Sequence, residues 1–135
     1  MRLLTALLIA APLLAQGGPA WEHSLEGALK RAKAEKKQIF LDIWAEWCGP
    51  CQHLKKNVFP TPEAAAALQN YIPTSLMTQD KKGVAQPGGK ATEDKFKIEG
   101  FPTLVILDAD GKEVRRKVGA FRTGAELAKW LNTGK

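Results

Sequence analysis

The sequence predicts one α/β domain, a central mixed β-sheet with helices on both faces, and three observations carry that expectation. Gln38 to Ala45 is a nearly unbroken apolar run rich in β-favouring side chains, as expected of a strand covered on both faces. Helical patterns flank it. Leu25, Ala28, Leu29 and Ala32 fall at i, i+3, i+4 and i+7 before it, and Gln52-His53-Leu54-Lys55-Lys56 runs on without glycine or proline after it. Further along, Thr103 to Leu107 reads as a second buried strand. Asp108-Ala109-Asp110-Gly111 turns it into Glu113 to Val118, so a hairpin joins strands otherwise linked by helices, and the sheet must be mixed.

The remaining elements follow in order. The first helix ends in the charged Glu35-Lys36-Lys37. Thr61-Pro62-Glu63 starts a helix with proline at the first helical position, and an alanine run continues it to Leu68. Tyr71 to Met77 is a short strand. Asp80 to Lys90, with Lys81-Lys82-Gly83 and Pro87-Gly88-Gly89, is a polar loop, read as a surface insertion rather than a partner contact. Thr123-Gly124-Ala125-Glu126 forms a capping box for the last helix, whose Leu127, Trp130 and Leu131 face the core.

Residues 1–20 read as an export leader. Arg2 precedes the apolar stretch Leu3 to Leu14, and Ala15 to Ala20 offers small residues for cleavage after Ala15 or Ala20. The stretch is shorter than the roughly 20 residues of an ordinary membrane span. A membrane tether through an uncleaved leader stays open, and a buried N-terminal helix is the weaker reading because Gly17-Gly18-Pro19 breaks the segment. Residues 21–135 then form a single domain long enough to bury a core. The net charge is +6. Its lysines are dispersed along helices and turns with no basic-aromatic motif, which argues against a nucleic-acid partner.

The sulfur chemistry is confined to one tetrapeptide. The chain has two cysteines, Cys48 and Cys51, in Trp47-Cys48-Gly49-Pro50-Cys51. Such a pair is a structural disulfide, half of a metal site, or a redox dithiol. Its place between a strand and a helix favours the last. Unpaired N–H groups and the positive end of the helix dipole stabilise a thiolate at Cys48, the expected nucleophile. Cys51, one turn on and on the same face, is placed to resolve a mixed disulfide. His53 and His23 do not converge with the cysteines, so no metal site is expected.

Phe40 to Cys51 resembles the active-site segment of thioredoxins, and Gly100-Phe101-Pro102-Thr103 resembles the family's cis-proline loop. The resemblance covers most of the chain from about Leu25 and implies the thioredoxin fold. Cys51 to Phe59 lacks the proline that kinks the active-site helix of ordinary thioredoxins. That segment, with Thr61-Pro62-Glu63 and Val118 to Thr123, is similar to the C-terminal periplasmic domain of the membrane thiol:disulfide interchange reductase.

A carboxylate within an apolar strand is costly unless protonated or partnered, so burial should raise the pKa of Asp42. The alternative is a solvated aspartate at a strand end. The resemblance implies that Asp42 acts as base for Cys51. The lysine that neighbours this aspartate in many thioredoxins has no counterpart in Tyr71 to Thr78. The resemblance also implies a cis bond before Pro102, with backbone groups beside the disulfide for an extended substrate. Phe101 would shape partner choice, and Trp47, Gly49 and Pro50 would share the substrate face. Trp47 is expected to shield the disulfide, Trp44 to flank the site or join the core, and Trp21 and Trp130 to be structural. His53 and His23 read as surface residues.

The expected function is exported thiol–disulfide exchange. Cys48 attacks a substrate disulfide, Cys51 resolves with help from Asp42, and an upstream thiol donor, a membrane-bound one among the options, restores the dithiol. No cofactor beyond the Cys48–Cys51 disulfide is expected, and the protein is read as a monomer acting on disulfide-containing proteins. Gly49-Pro50 and Asp42 resemble the reducing branch of the family. The rival readings are a disulfide-donating oxidase or isomerase, and a non-catalytic binding or copper-handling module.

Overall fold

A computed structural model describes residues 18–134. The leader expected over residues 1–20 lies almost wholly outside them. Among the described residues no helix is long and apolar enough to cross a membrane.

Helix α1 (Leu25–Glu35) starts where the Ser24 hydroxyl accepts from the Gly27 N–H and ends at Lys36 in the left-handed conformation. It buries Ala28 and Ala32. Strand β1 (Gln38–Ala45) is the centre of the sheet, whose order is β2-β1-β3-β4. β2 (Tyr71–Gln79) runs parallel to β1, β3 (Thr103–Leu107) antiparallel to it, and β4 (Glu113–Val118) antiparallel to β3. The expected mixed sheet is present, and β2 runs two residues past the predicted Met77. At its outer edge the N-terminal segment adds a short parallel pairing: the Glu22 N–H donates to the Pro73 carbonyl, and the Ser75 N–H donates to that of Glu22.

Alternate residues of β1 feed two cores. Ile39, Leu41 and Ile43 pack with Ile72, Val105 and Leu107 under α1 and α4 (Gly89–Phe96). Phe40 packs with Leu104 and Ile106 under Leu54 and Val58, which follow α2 (Gly49–His53), and under α3 (Pro62–Leu68) and α5 (Gly124–Asn132). The period of two along a strand produces this division.

Three local results depart from expectation. The helix carrying the cysteines widens at Leu54–Val58 into a π-helical turn, closed by the Phe59 N–H donating to the Leu54 carbonyl five residues back. The polar stretch after β2 ends in α4, for which the sequence has no amphipathic signature: Phe96 is its one large buried side chain. The fit requires Gly89, because a Cβ there would overlap the Thr78 carbonyl. The capping box is half as expected. Thr123 Oγ1 accepts from the Glu126 N–H, but the Glu126 carboxylate accepts from the Arg122 N–H rather than from that of Thr123.

Candidate functional site

The apolar strand β1 delivers the chain to the site. Past Ala45 it turns, and Cys48 becomes the N-cap of α2. Cys48 and Cys51 are joined in a disulfide with their Cα atoms 5.3 Å apart. The Cys51 N–H donates to Cys48 Sγ at 3.2 Å, a contact that favours negative charge on that sulfur when the bond opens. Cys48 is 3% exposed and Cys51 is fully buried, so what opening to solvent the pair has lies at the first residue. Trp44, Ala45, Met77 and Phe101 pack around the pair.

Phe101–Pro102 is a cis peptide, and Phe101 brings this loop against the disulfide. The Trp47 ring meets Phe101 edge to face at 5.7 Å. Its Nε1–H donates to Gln79 Oε1, and Gln79 in turn donates to Glu93, so β2 and α4 hold the indole. Trp47 is nevertheless 52% exposed and forms an apolar rim with the exposed Gly49 and Pro50. His53, half-buried, bonds the Arg122 carbonyl through Nε2 at 3.0 Å, and Asn57 lies against its Nδ1. It thereby ties α2 to the loop before α5, a role its sequence position did not indicate. His23 is exposed. Trp21 packs on Phe40 and Phe59, and Trp130 stacks with Phe121, both structural as expected.

Asp42 lies on the same face of β1 as Phe40 and Trp44, with no exposed surface and no hydrogen-bond partner for either carboxylate oxygen among the described residues. Burial pushes its pKa up to about 7, against the pull of the nearby Lys55 ammonium. Lys55 extends from the π-helical turn with Nζ 3.1 Å from the centroid of the Trp44 ring. Partial burial lowers its own pKa, while Asp42 and Glu46 act to raise it. Beyond this pair a cleft of about 600 Å³ opens, lined by Asp42, Lys55, Ser75, Trp21, Phe59 and Pro60 among others. Ser75 Oγ accepts from the Trp44 indole N–H at 2.8 Å. No cluster of His, Cys, Asp and Glu that could hold a metal ion occurs among the described residues.

A dithiol in disulfide form at a helix N-terminus, a cis-proline loop against it and a buried carboxyl below can be compared with known families. The sequence profile of the Thioredoxin-like domain matches residues 25–135. The chain belongs to the thioredoxin-like family. It is similar to the thiol:disulfide interchange protein DsbD of Pseudomonas fluorescens, 31% identical over 112 residues, which are 81% of this chain and 18% of that protein. Less than a fifth of that relative is therefore represented. A candidate disulphide isomerase from Bacteroides thetaiotaomicron is 34% identical over 87% of this chain and 93% of that one, with a TM-score of 0.66. The C-terminal domain of Neisseria meningitidis DsbD in oxidised form has the same TM-score over 86% of this chain and 100% of that one; at 19% identity it speaks to the fold alone.

This thioredoxin-like chain thus brings Cys48, Cys51, Trp47 and Phe101 together, with Pro102 following Phe101 through the cis bond, and buries Asp42 rather than leaving it at a solvated strand end. Sequence reasoning missed Lys55 and Gln79. The cation near Asp42 comes from the active-site helix and not from β2. One signal could have found it: Lys55 follows Cys51 by four residues and so shares its helical face.

Proposed function

We propose that the protein reduces disulfides in extracytoplasmic proteins through the Cys48/Cys51 pair. The observation that carries this reading is the disulfide closed across the first turn of α2, with Cys48 retaining a sliver of exposure, Cys51 fully buried, and an unpartnered carboxyl on the adjoining sheet face. The Cys48 thiolate attacks a substrate disulfide, forming a mixed disulfide and releasing one substrate sulfur as thiolate. Asp42 takes the proton of the Cys51 thiol. The Cys51 sulfur then bonds to Cys48 Sγ, the Cys48–substrate bond breaks, and the second substrate sulfur leaves and takes a proton from solvent. The substrate gains two electrons and the pair loses two, so an upstream thiol donor must return them.

The exposed apolar rim of Trp47, Gly49 and Pro50, with the half-buried Phe101 beside it, suits an extended substrate segment lying along the Phe101–Pro102 loop. Similarity to DsbD and the leader read over residues 1–20 support an extracytoplasmic setting and a membrane-bound donor. The test is the reduction potential of the couple in defined thiol buffers, combined with trapping by Cys51→Ser. A potential near about −270 mV, with mixed disulfides captured through Cys48, is the expected result. A value near about −120 mV would make the protein an oxidant. The absence of a reversible couple would leave only a binding module.

A further inference from the structure

Asp42 presents an unsolved electrostatic problem. Its carboxyl is fully buried and has no hydrogen-bond donor among the described residues, a situation that strongly disfavours the ionised form unless a cation is held nearby. Lys55 supplies one. Its ammonium lies on the Trp44 ring, two residues along β1 from Asp42, and both residues line the cleft beside Trp21 and Phe59. A half-buried lysine anchored in this way keeps its charge in place and less screened than a surface lysine.

The other groups around the carboxyl do not offer the same compensation. β2 and β3 place Ser75 and Leu104 beside it, neither of them ionic. α3 contributes Ala65 to the cleft, and the N-terminal segment contributes the exposed His23. Glu46, beyond the end of β1, acts on Lys55 and pairs with Lys81 at 3.8 Å. α2 contributes the two cysteines, which titrate only when reduced.

We propose that Lys55 is a positioning residue for thiol–disulfide exchange, its ammonium pinned on Trp44 so that Asp42 can carry the charge it needs as base for Cys51. This rests on the reading of Asp42 as that base. Lys55 itself stays protonated and touches no reacting atom. Without its charge Asp42 keeps its proton to higher pH, and at neutral pH fewer molecules hold a carboxylate ready to accept the Cys51 proton.

Lys55→Met retains an apolar stem for Trp44 and removes the charge; Lys55→Arg retains the charge. In the oxidised full chain, where no thiol titrates, the Asp42 carboxyl is followed by carbon NMR against pH. In single turnover, release of a mixed disulfide is followed against pH. Lys55→Met should move both profiles to higher pH by about one unit, a tenfold change in proton affinity, and Lys55→Arg should restore both. An unmoved carboxyl titration in Lys55→Met, with unfolding temperature preserved, overturns the proposal. Lys55→Gln gives the same two-way answer if the methionine variant does not fold. Asp42→Asn separates the two layers of the argument. If it leaves the release profile unchanged, the base reading fails and the proposal with it, even where the carboxyl titration shifts. If it flattens that profile and Lys55→Met does not move it, the base reading stands and Lys55 is only a packing residue.

Discussion

Leu41 and Asp42 are neighbours on one strand, both fully buried, and they belong to different regimes. Leu41 points into the layer under α1 and α4, where Ile39, Ile43, Ile72, Val105 and Leu107 surround it and nothing ionises. Asp42 points into the opposite layer, where the sheet meets the cysteine-bearing helix, the Lys55 ammonium and an open cleft. One face supplies stability. The other gives some of it up by burying a titratable carboxyl with no hydrogen-bond partner among the described residues, and the alternation of side chains along β1 keeps the two layers apart.

Substitutions can break or sharpen this contrast. The largest stability effect belongs to the inert face. Leu41→Ala should cost about 2–5 kcal/mol in urea unfolding through lost burial and the cavity left behind, with the reduction potential unchanged. A potential that moved would mean that the two layers are coupled through the strand.

Asp42→Asn should act in the opposite direction. The folded carboxyl holds its proton up to about 7, whereas a free aspartate releases it near 3.8. Between those values only the folded state binds the proton, so stability falls as pH rises through that window and stays at the lower level above it. The amide variant removes this dependence. It should be more stable than the parent by on the order of 4 kcal/mol at pH 8, with most of the gain gone near pH 4, as urea unfolding at the two pH values would show. Exchange should slow in the same variant. Equal stability differences at both pH values would remove Asp42 from the list of strained groups.

The smallest effect is Ser24→Ala. It removes the hydroxyl that caps α1, for about 1 kcal/mol in thermal or urea unfolding, and should leave the pH profile of exchange as it was. A shifted profile would connect α1 to the chemical face, from which the sheet separates it.

The amino-acid sequence by itself determined what is local. The apolar run of β1, the turn at Asp108 to Gly111, proline at the start of α3, the Thr123 cap and the Cys48-Gly49-Pro50-Cys51 tetrapeptide at a strand-to-helix junction each depend on side chains within a few residues of one another. Propensity and spacing are enough to read them. The cis bond before Pro102 was legible through resemblance rather than spacing.

Only the tertiary structure decided the rest. Helix α4 lacks a sequence pattern because a single large buried side chain, Phe96, anchors it, and Gly89 is needed only because the Thr78 carbonyl arrives from another element. The pairing of Glu22 with β2, the reach of Gln79 to Trp47, and the meeting of Lys55 with Asp42 across Trp44 join residues 13 to 53 positions apart. Side-chain identity records that a lysine is available. Which carboxyl it serves depends on how the π-helical turn packs on the sheet, a long-range contact that local propensity does not encode.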